Sequence, residues 1–307
     1  MALLLCFCNC LCTGNNVTKK YALFLLKDYA VTNNYQIYGG SKMKSIFFYT
    51  ILIIAIFFMT TACAIRNKKA SQPFQDSWEI IDLTQTLTQK IPIWPGDPEF
   101  KVTPWATYEK DQYFINNIYI GEHSGTHWGT PNTFIKDARS AEMFTVKELV
   151  MPAVVIDIRN LVKEDSNYRL SIADVKNWEE KNNRKVPSGS MVILFTGWQN
   201  KWNNPKDFLG IDNKKILHWP GFGGDTVKFL IENRKIAGLG TDTHGADPGN
   251  DEEFGASFAM YEADGIILEC LAGLDKLPPY GSIIIVGGLP VEGGSGSPAR
   301  IIAFVPK

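Results

Sequence analysis

The feature that most narrows the folds open to this 307-residue chain is a series of short, apolar, β-branched runs separated by turn signals, beginning near residue 79. They are Glu79–Leu83, Phe114–Ile120, Ala153–Ile158, Met191–Phe195, Ile236–Leu239, Gly265–Leu268 and Ser282–Val286. Several are apolar at successive positions instead of alternating, the pattern of strands covered on both faces. Two longer stretches, Ser171–Asn182 and Gly224–Asn233, have helical spacing, and Ser171 or Asp174 is available to cap the first. Strands outnumber helices, so the spacing predicts an α/β protein with a strand-rich centre, a single domain over 78–307.

The residues before this domain have a different character. From Met43, a short basic start (Lys44) leads into the apolar run Ile46–Met59 and then Thr60-Thr61-Ala62-Cys63. That is the layout of a bacterial export signal with small residues before a cysteine, as in a lipoprotein cleavage box. The run falls short of the roughly 20 residues of a transmembrane helix, although an uncleaved anchor has the same composition. Residues 1–42, with Cys6, Cys8, Cys10 and Cys12, read as an upstream extension preceding the true start, and polar residues 64–77 as a tether. An exported chain, periplasmic or held to a membrane only by this signal or a lipid, is expected. A net charge of −1 gives no electrostatic footprint for nucleic acid.

Chemistry concentrates in three places. Two of the four histidines, His123 and His127, lie in Glu122-His123-Ser124-Gly125-Thr126-His127-Trp128-Gly129-Thr130-Pro131, at a spacing from which both imidazoles reach one metal; as a pair alone they are equally two polar loop residues. Asp242 and His244 follow the apolar run Ile236–Leu239, and if the strand continues they share a face, unless the segment is an Asx turn. Glu269 ends the run Gly265–Leu268, where a carboxylate needs a cation or an arginine such as Arg300. His218 and Cys270 read as packing residues, and Gly293–Pro298 as a tight connection without a phosphate-loop ending.

Several ordered motifs resemble those of the bacterial cyclase family that includes kynurenine formamidase and isatin hydrolase. They are Ile81-Asp82-Leu83-Thr84, Trp94-Pro95-Gly96-Asp97, the histidine motif, Phe195-Thr196-Gly197-Trp198 and Gly294-Ser295-Gly296-Ser297-Pro298-Ala299-Arg300, spanning roughly Ile80–Pro306. The resemblance implies a mixed central sheet with flanking helices, a dimer or higher homo-oligomer, and metal-dependent hydrolysis of a C–N bond in a small aryl or cyclic amide, N-formylkynurenine being the family's type of substrate. It makes His123 and His127 metal ligands and Glu269 the ligand glutamate. Gly129 stands where the family has an aspartate ligand, Thr133 where it has a catalytic histidine, and Ser257 where a further histidine is expected.

Two functional readings follow. In one the site is rebuilt, with His244 joining His123, His127 and Glu269 around zinc or manganese, and Asp242, Glu269 or metal hydroxide taking the proton that Thr133 cannot hold at neutral pH. In the other the chain is a catalytically degenerate, exported small-molecule-binding protein with the same fold. Trp94, Trp128, Trp198 and Phe222 are the aromatic residues expected to line a pocket for a planar ring.

Overall fold

The computed structural model describes residues 76–307; the extension 1–42, the signal 43–63 and most of the tether 64–77 lie outside the described residues. The strands run in chain order as β1 (Trp78–Asp82), β2 (Lys101–Ala106), β3 (Ile115–Tyr119), β4 (His127–Gly129), β5 (Val150–Asp157), β6 (Arg169–Leu170), β7 (Met191–Phe195), β8 (Gly221–Phe222), β9 (Gly238–Thr241), β10 (Ile266–Glu269), β11 (Tyr280–Gly288) and β12 (Gly296–Pro306). Among the described residues the three longest helices are α1 (Ile172–Lys181), α2 (Gly224–Arg234) and α3 (Gly255–Glu262).

Eight strands form one mixed sheet in the order β1-β12-β11-β5-β7-β9-β10-β4. The central pairings β5–β7, β7–β9 and β9–β10 are parallel, and the flanking ones are antiparallel. β4 also pairs with the first residues of β12, Gly296–Pro298, so the sheet closes on itself into a barrel. β1 lies outside that ring, on the later half of β12.

Side chains alternate across the sheet with period two. Ala153 and Val155, Met191, Ile193 and Phe195, Ile266 and Leu268, and Ile301 and Ala303 share one core cluster. Their neighbours Val154 and Ile156, Val192 and Leu194, Leu239 and Ile267 belong to a second, where they meet Val175 and Trp178 of α1, Val227 and Leu230 of α2, and Met260 and Tyr261 of α3. Strands covered on both faces account for the unbroken apolar runs of the sequence. The α1 cap is formed as expected: the Ser171 side chain accepts from Asp174 N–H, and the Asp174 carboxylate accepts from Ser171 N–H.

The strand expected at Phe114–Ile120 is present as β3, but it is not among the buried ones: among the described residues it pairs only with β2 in a separate hairpin, and Trp105, Ile115, Ile118 and Tyr119 are exposed. Pro104 within β2 suits such an edge position, where a ladder donor is dispensable. The strand foreseen at Ile236–Leu239 lies further on, at Gly238–Thr241.

The barrel seam depends on Gly296. A Cβ there would overlap the Trp128 carbonyl and stand 3.2 Å from the Gly129 Cα. Gly296→Val is therefore expected to pry β12 from β4 at a cost of about 3 kcal/mol, lowering Tm by on the order of 10 °C in thermal unfolding of the full chain. An unchanged Tm would show that the seam is not closed by this contact.

Candidate active site

The site lies where β9 and β10 end side by side, at the carboxyl ends of parallel strands, a place where α/β folds commonly bind ligands. β4 runs antiparallel to β10 with His127 directly opposite Glu269. Directly paired residues of an antiparallel ladder project from the same face with Cβ atoms about 5 Å apart, so the register itself brings imidazole and carboxylate together. His127 Nε2 stands 3.1 Å from Glu269 Oε2, and His127 Nδ1 donates to the Gly125 carbonyl at 2.9 Å. A carbonyl can only accept, so the Nδ1 proton is fixed and Nε2 faces the carboxylate with either a proton or a cation between them. Burial pulls the His127 pKa down, but the hydrogen bond and charge of Glu269 outweigh it and hold the imidazole above its usual range. In the same way burial pushes Glu269 up, and His127 brings it to a net position below the ordinary carboxylate range.

His123 packs edge-on against His127, ring centroids 5.1 Å apart. Its Nε2 is 2.8 Å from Ser295 Oγ, which itself donates to Glu122 Oε2 at 2.6 Å. Since the single Ser295 hydrogen goes to the carboxylate, His123 Nε2 carries the proton of that contact and Nδ1 keeps the lone pair. His244 is buried, its ring centroid 6.4 Å from that of His127, and neither of its ring nitrogens has a hydrogen-bond partner among the described residues. Burial draws both His123 and His244 down to about 4, so both are neutral at pH 7.

His123, His244 and Glu269 line a cavity of about 270 Å³, with His127 buried behind Glu269. A run of ring contacts, Phe134–Phe254–Trp94–Trp219, forms its aromatic wall. Trp94 also meets His244 at 5.6 Å. Asp97, Asp247 and Glu269 supply carboxylates, and Thr133, Ser257 and Tyr261 supply hydroxyls. Asp247 accepts from Ala256 N–H and from the hydroxyl and N–H of Ser257, at the start of α3; burial raises its pKa to about 6 in spite of those bonds.

The structure thus brings His123, His127, His244, Glu269 and Thr133 to one place. It does not bring Asp242. β9 ends at Thr241, and the Asp242 carboxylate, fully buried, accepts from Thr196 N–H (3.0 Å), Thr196 Oγ1 (2.7 Å) and Gln199 N–H (3.1 Å). It anchors the Phe195–Trp198 turn and does not line the cavity. Arg300 is not the partner of Glu269 either: it pairs with Asp82, Nε to Oδ1 at 3.0 Å. Of the four expected pocket aromatics only Trp94 lines the cavity. The Trp128 indole donates to Ser297 Oγ in the barrel core, the Trp198 indole donates to Phe208 O, and Phe222 is buried under α1 and α2. His218 is not a packing residue but a half-exposed one, between Asn167 and Asp212. Asp97, Asp247, Phe134, Trp219, Phe254 and Tyr261 went unforeseen; for Asp97 the Trp-Pro-Gly-Asp motif was the available signal, and for Asp247 the Asp-Pro-Gly turn.

As the side chains stand, no three histidine, cysteine or acidic groups form a closed ligand shell among the described residues. The donor set nevertheless fits an ion in kind: a backbone-pinned imidazole with Nε2 facing inward, a carboxylate opposite it, and a buried His244 without partners, which costs about 1–3 kcal/mol if nothing binds it.

Comparison with known proteins agrees with this architecture. Residues 81–248 match the family model Cyclase, described as "Putative cyclase". The chain is 32% identical over 246 residues to isatin hydrolase of Roseibium aggregatum, covering 75% of this chain and 92% of that one. It is 28% identical over 208 residues to kynurenine formamidase of Erythrobacter litoralis, 66% and 84% of the two chains. Among solved structures, an isatin hydrolase bound to the product analogue thioisatinate superposes with a TM-score of 0.73 at 29% identity, over 80% of this chain and 98% of that one. Isatin hydrolase A from Ralstonia solanacearum superposes with a TM-score of 0.70 at 32% identity, over 74% and 92%. The chain belongs to the cyclase family. The relatives it resembles are hydrolases.

The Asp247 cluster yields a pH prediction. Its pKa is raised on folding, so its contribution to stability is full below about 4 and is lost as pH rises through about 6. Denaturant unfolding across that range should show this decline in the wild type, and Asp247→Asn should flatten it; parallel profiles would remove Asp247 as the cause.

Proposed function

We propose that this chain is a metal-dependent hydrolase acting on the C–N bond of a small aryl or cyclic amide, as the names of its isatin-hydrolase and kynurenine-formamidase relatives suggest. The observation that carries the reading is the partnerless His244 on the cavity wall beside the His127–Glu269 pair. His123, His127, His244 and Glu269 would hold a zinc or manganese ion, which supplies Lewis acidity to a carbonyl and lowers the pKa of water. The aromatic run Phe134–Phe254–Trp94–Trp219 presents a slot for a planar ring and keeps bulk water from it. Thr133 cannot replace a base: its hydroxyl is directed to the Thr130 carbonyl at 2.7 Å and the Ser295 carbonyl at 3.0 Å. Asp247, with a pKa near 6 on the same wall, is the group poised to take and return a proton at its carboxylate.

The test is elemental analysis of the purified, dialysed full chain, with hydrolysis of isatin and of an N-formylaniline followed in parallel. About one equivalent of metal, lost in His123→Ala/His127→Ala together with at least 100-fold of the hydrolysis rate, is the expected result. Metal supplied but not bound, with neither amide cleaved, would favour the second reading, an exported binding protein. That reading draws its support from Gly129, Thr133 and Ser257, which lack the donors the family motif carries.

The same proposal includes export by the 43–63 signal and assembly of at least two copies. The exposed apolar side chains of the β2–β3 hairpin support assembly, since such surface usually marks an interface. Among the described residues no helix is long and apolar enough to cross a membrane. Trp105→Lys/Ile118→Lys is expected to halve the mass seen by light scattering; a monomeric wild type would end the assembly part of the proposal.

A further inference from the structure

Gly129 and Tyr261 share one small volume. A Cβ placed on Gly129 would fall on the Tyr261 phenol oxygen, with His123 Cε1 and Thr133 Oγ1 each 3.5 Å from that same point. Any side chain at 129 and the phenol of Tyr261 therefore exclude each other. Tyr261 comes from the inner face of α3, is buried, and is fixed edge-on by Phe134 with ring centroids 5.7 Å apart. Its hydroxyl lies on the cavity wall, next to Thr133 and close enough to Glu269 to feel its charge.

The hydroxyls on that wall differ in what their hydrogens do. The Thr133 hydrogen is spent on the Thr130 and Ser295 carbonyls, and the Ser257 hydrogen on the Asp247 carboxylate. The hydrogen of Tyr261 has the Thr133 hydroxyl oxygen as its neighbour, a neutral acceptor that it can leave for a ligand carbonyl. It is also carried on a buried ring packed edge-on against Phe134, so using it costs little ordering entropy. The wall has no lysine or arginine, so few groups there can donate strongly to a ligand oxygen.

We propose that Tyr261 takes the place of a side chain at position 129, and that its phenol O–H is the hydrogen-bond donor to the carbonyl oxygen of an uncharged, planar ring bound in the cavity. This rests on the reading of the cavity as the substrate site. It makes Tyr261 a specificity-determining residue: the ligand it selects has an acceptor, not a donor, facing α3. It also explains Gly129 as the partner of Tyr261 in one exchange of volume, since a carboxylate could not be accommodated there while the phenol remains.

The test uses the full chain dialysed against chelator, so that isatin is bound and not turned over, with quenching of Trp94 and Trp219 fluorescence as the signal. Tyr261→Phe keeps the ring and its packing, and is expected to leave Tm unchanged and weaken isatin binding about tenfold. Equal affinity in wild type and Tyr261→Phe would overturn the donor role while leaving the cavity as the substrate site. No quenching even in the wild type would overturn that site reading and this one with it. The shared volume is tested without ligand: Gly129→Ala should lower Tm clearly in the wild-type background and much less in Tyr261→Leu. The same loss in both backgrounds would show that the two positions are not coupled.

Discussion

The strand β4 is three residues long, yet both of its edges are used, one by β10 and the other by β12. Without it the sheet is open between β10 and β12, and the polar backbone along two strands is left without partners. With it, one register fixes two things together. Trp128 is turned into the barrel core, and its neighbour His127 is placed opposite Glu269. A slip of one residue would exchange these faces, pointing an imidazole into the core and an indole at the cavity. Closure of the barrel and assembly of the site are a single event.

Much of the fold was legible in the sequence because its strands are covered on both sides. Met191–Phe195 is apolar at all five positions, and its boundaries match the strand observed. The α1 helix was equally plain, since Ser171 and Asp174 state their capping role locally. What escaped was decided by distant partners. β4 contains a histidine, a tryptophan and a glycine, and nothing in three such residues declares a strand until β10 and β12 lie beside them. The hairpin strand Ile115–Tyr119 was expected as a strand, but its pairing away from the barrel was not legible from its residues. In the site, the histidine pair and Glu269 could be picked out by spacing and chemical type. Asp242 misled because a carboxylate that holds a turn through three donors is indistinguishable, in one dimension, from one that faces a ligand. The aromatic wall was invisible for the same reason: Trp219 and Phe254 reach the cavity from loops far apart in the chain.

The electrostatics of the cavity follow from burial more than from charge. Removing water holds His123 and His244 neutral, leaving lone pairs in place of positive charge. His127 differs chiefly because a carboxylate stands opposite it, with the Gly125 carbonyl and Asp97 adding to the effect. The result is a small pocket with aromatic sides, acidic groups and uncharged imidazoles, a setting in which a hydrogen bond or a bound cation acts at far greater strength than it would in water. Its loop residues are positioned by a rigid sheet, as functional loops commonly are.

Because Glu269 on the cavity wall is paired with His127 of β4, whatever binds both is also a fastener for the barrel. A ligand spanning the His127 and His244 sides would bind only the closed form, and mass action would then shift the opening equilibrium of β4 against its neighbours by an amount set by ligand concentration over its dissociation constant. The amide protons of Trp128 and Gly129 sit in that seam. Their exchange with solvent is thus governed less by the permanent packing of the barrel than by how often the cavity stands empty, which makes the shortest strand of the sheet the place where occupancy is converted into mechanical integrity.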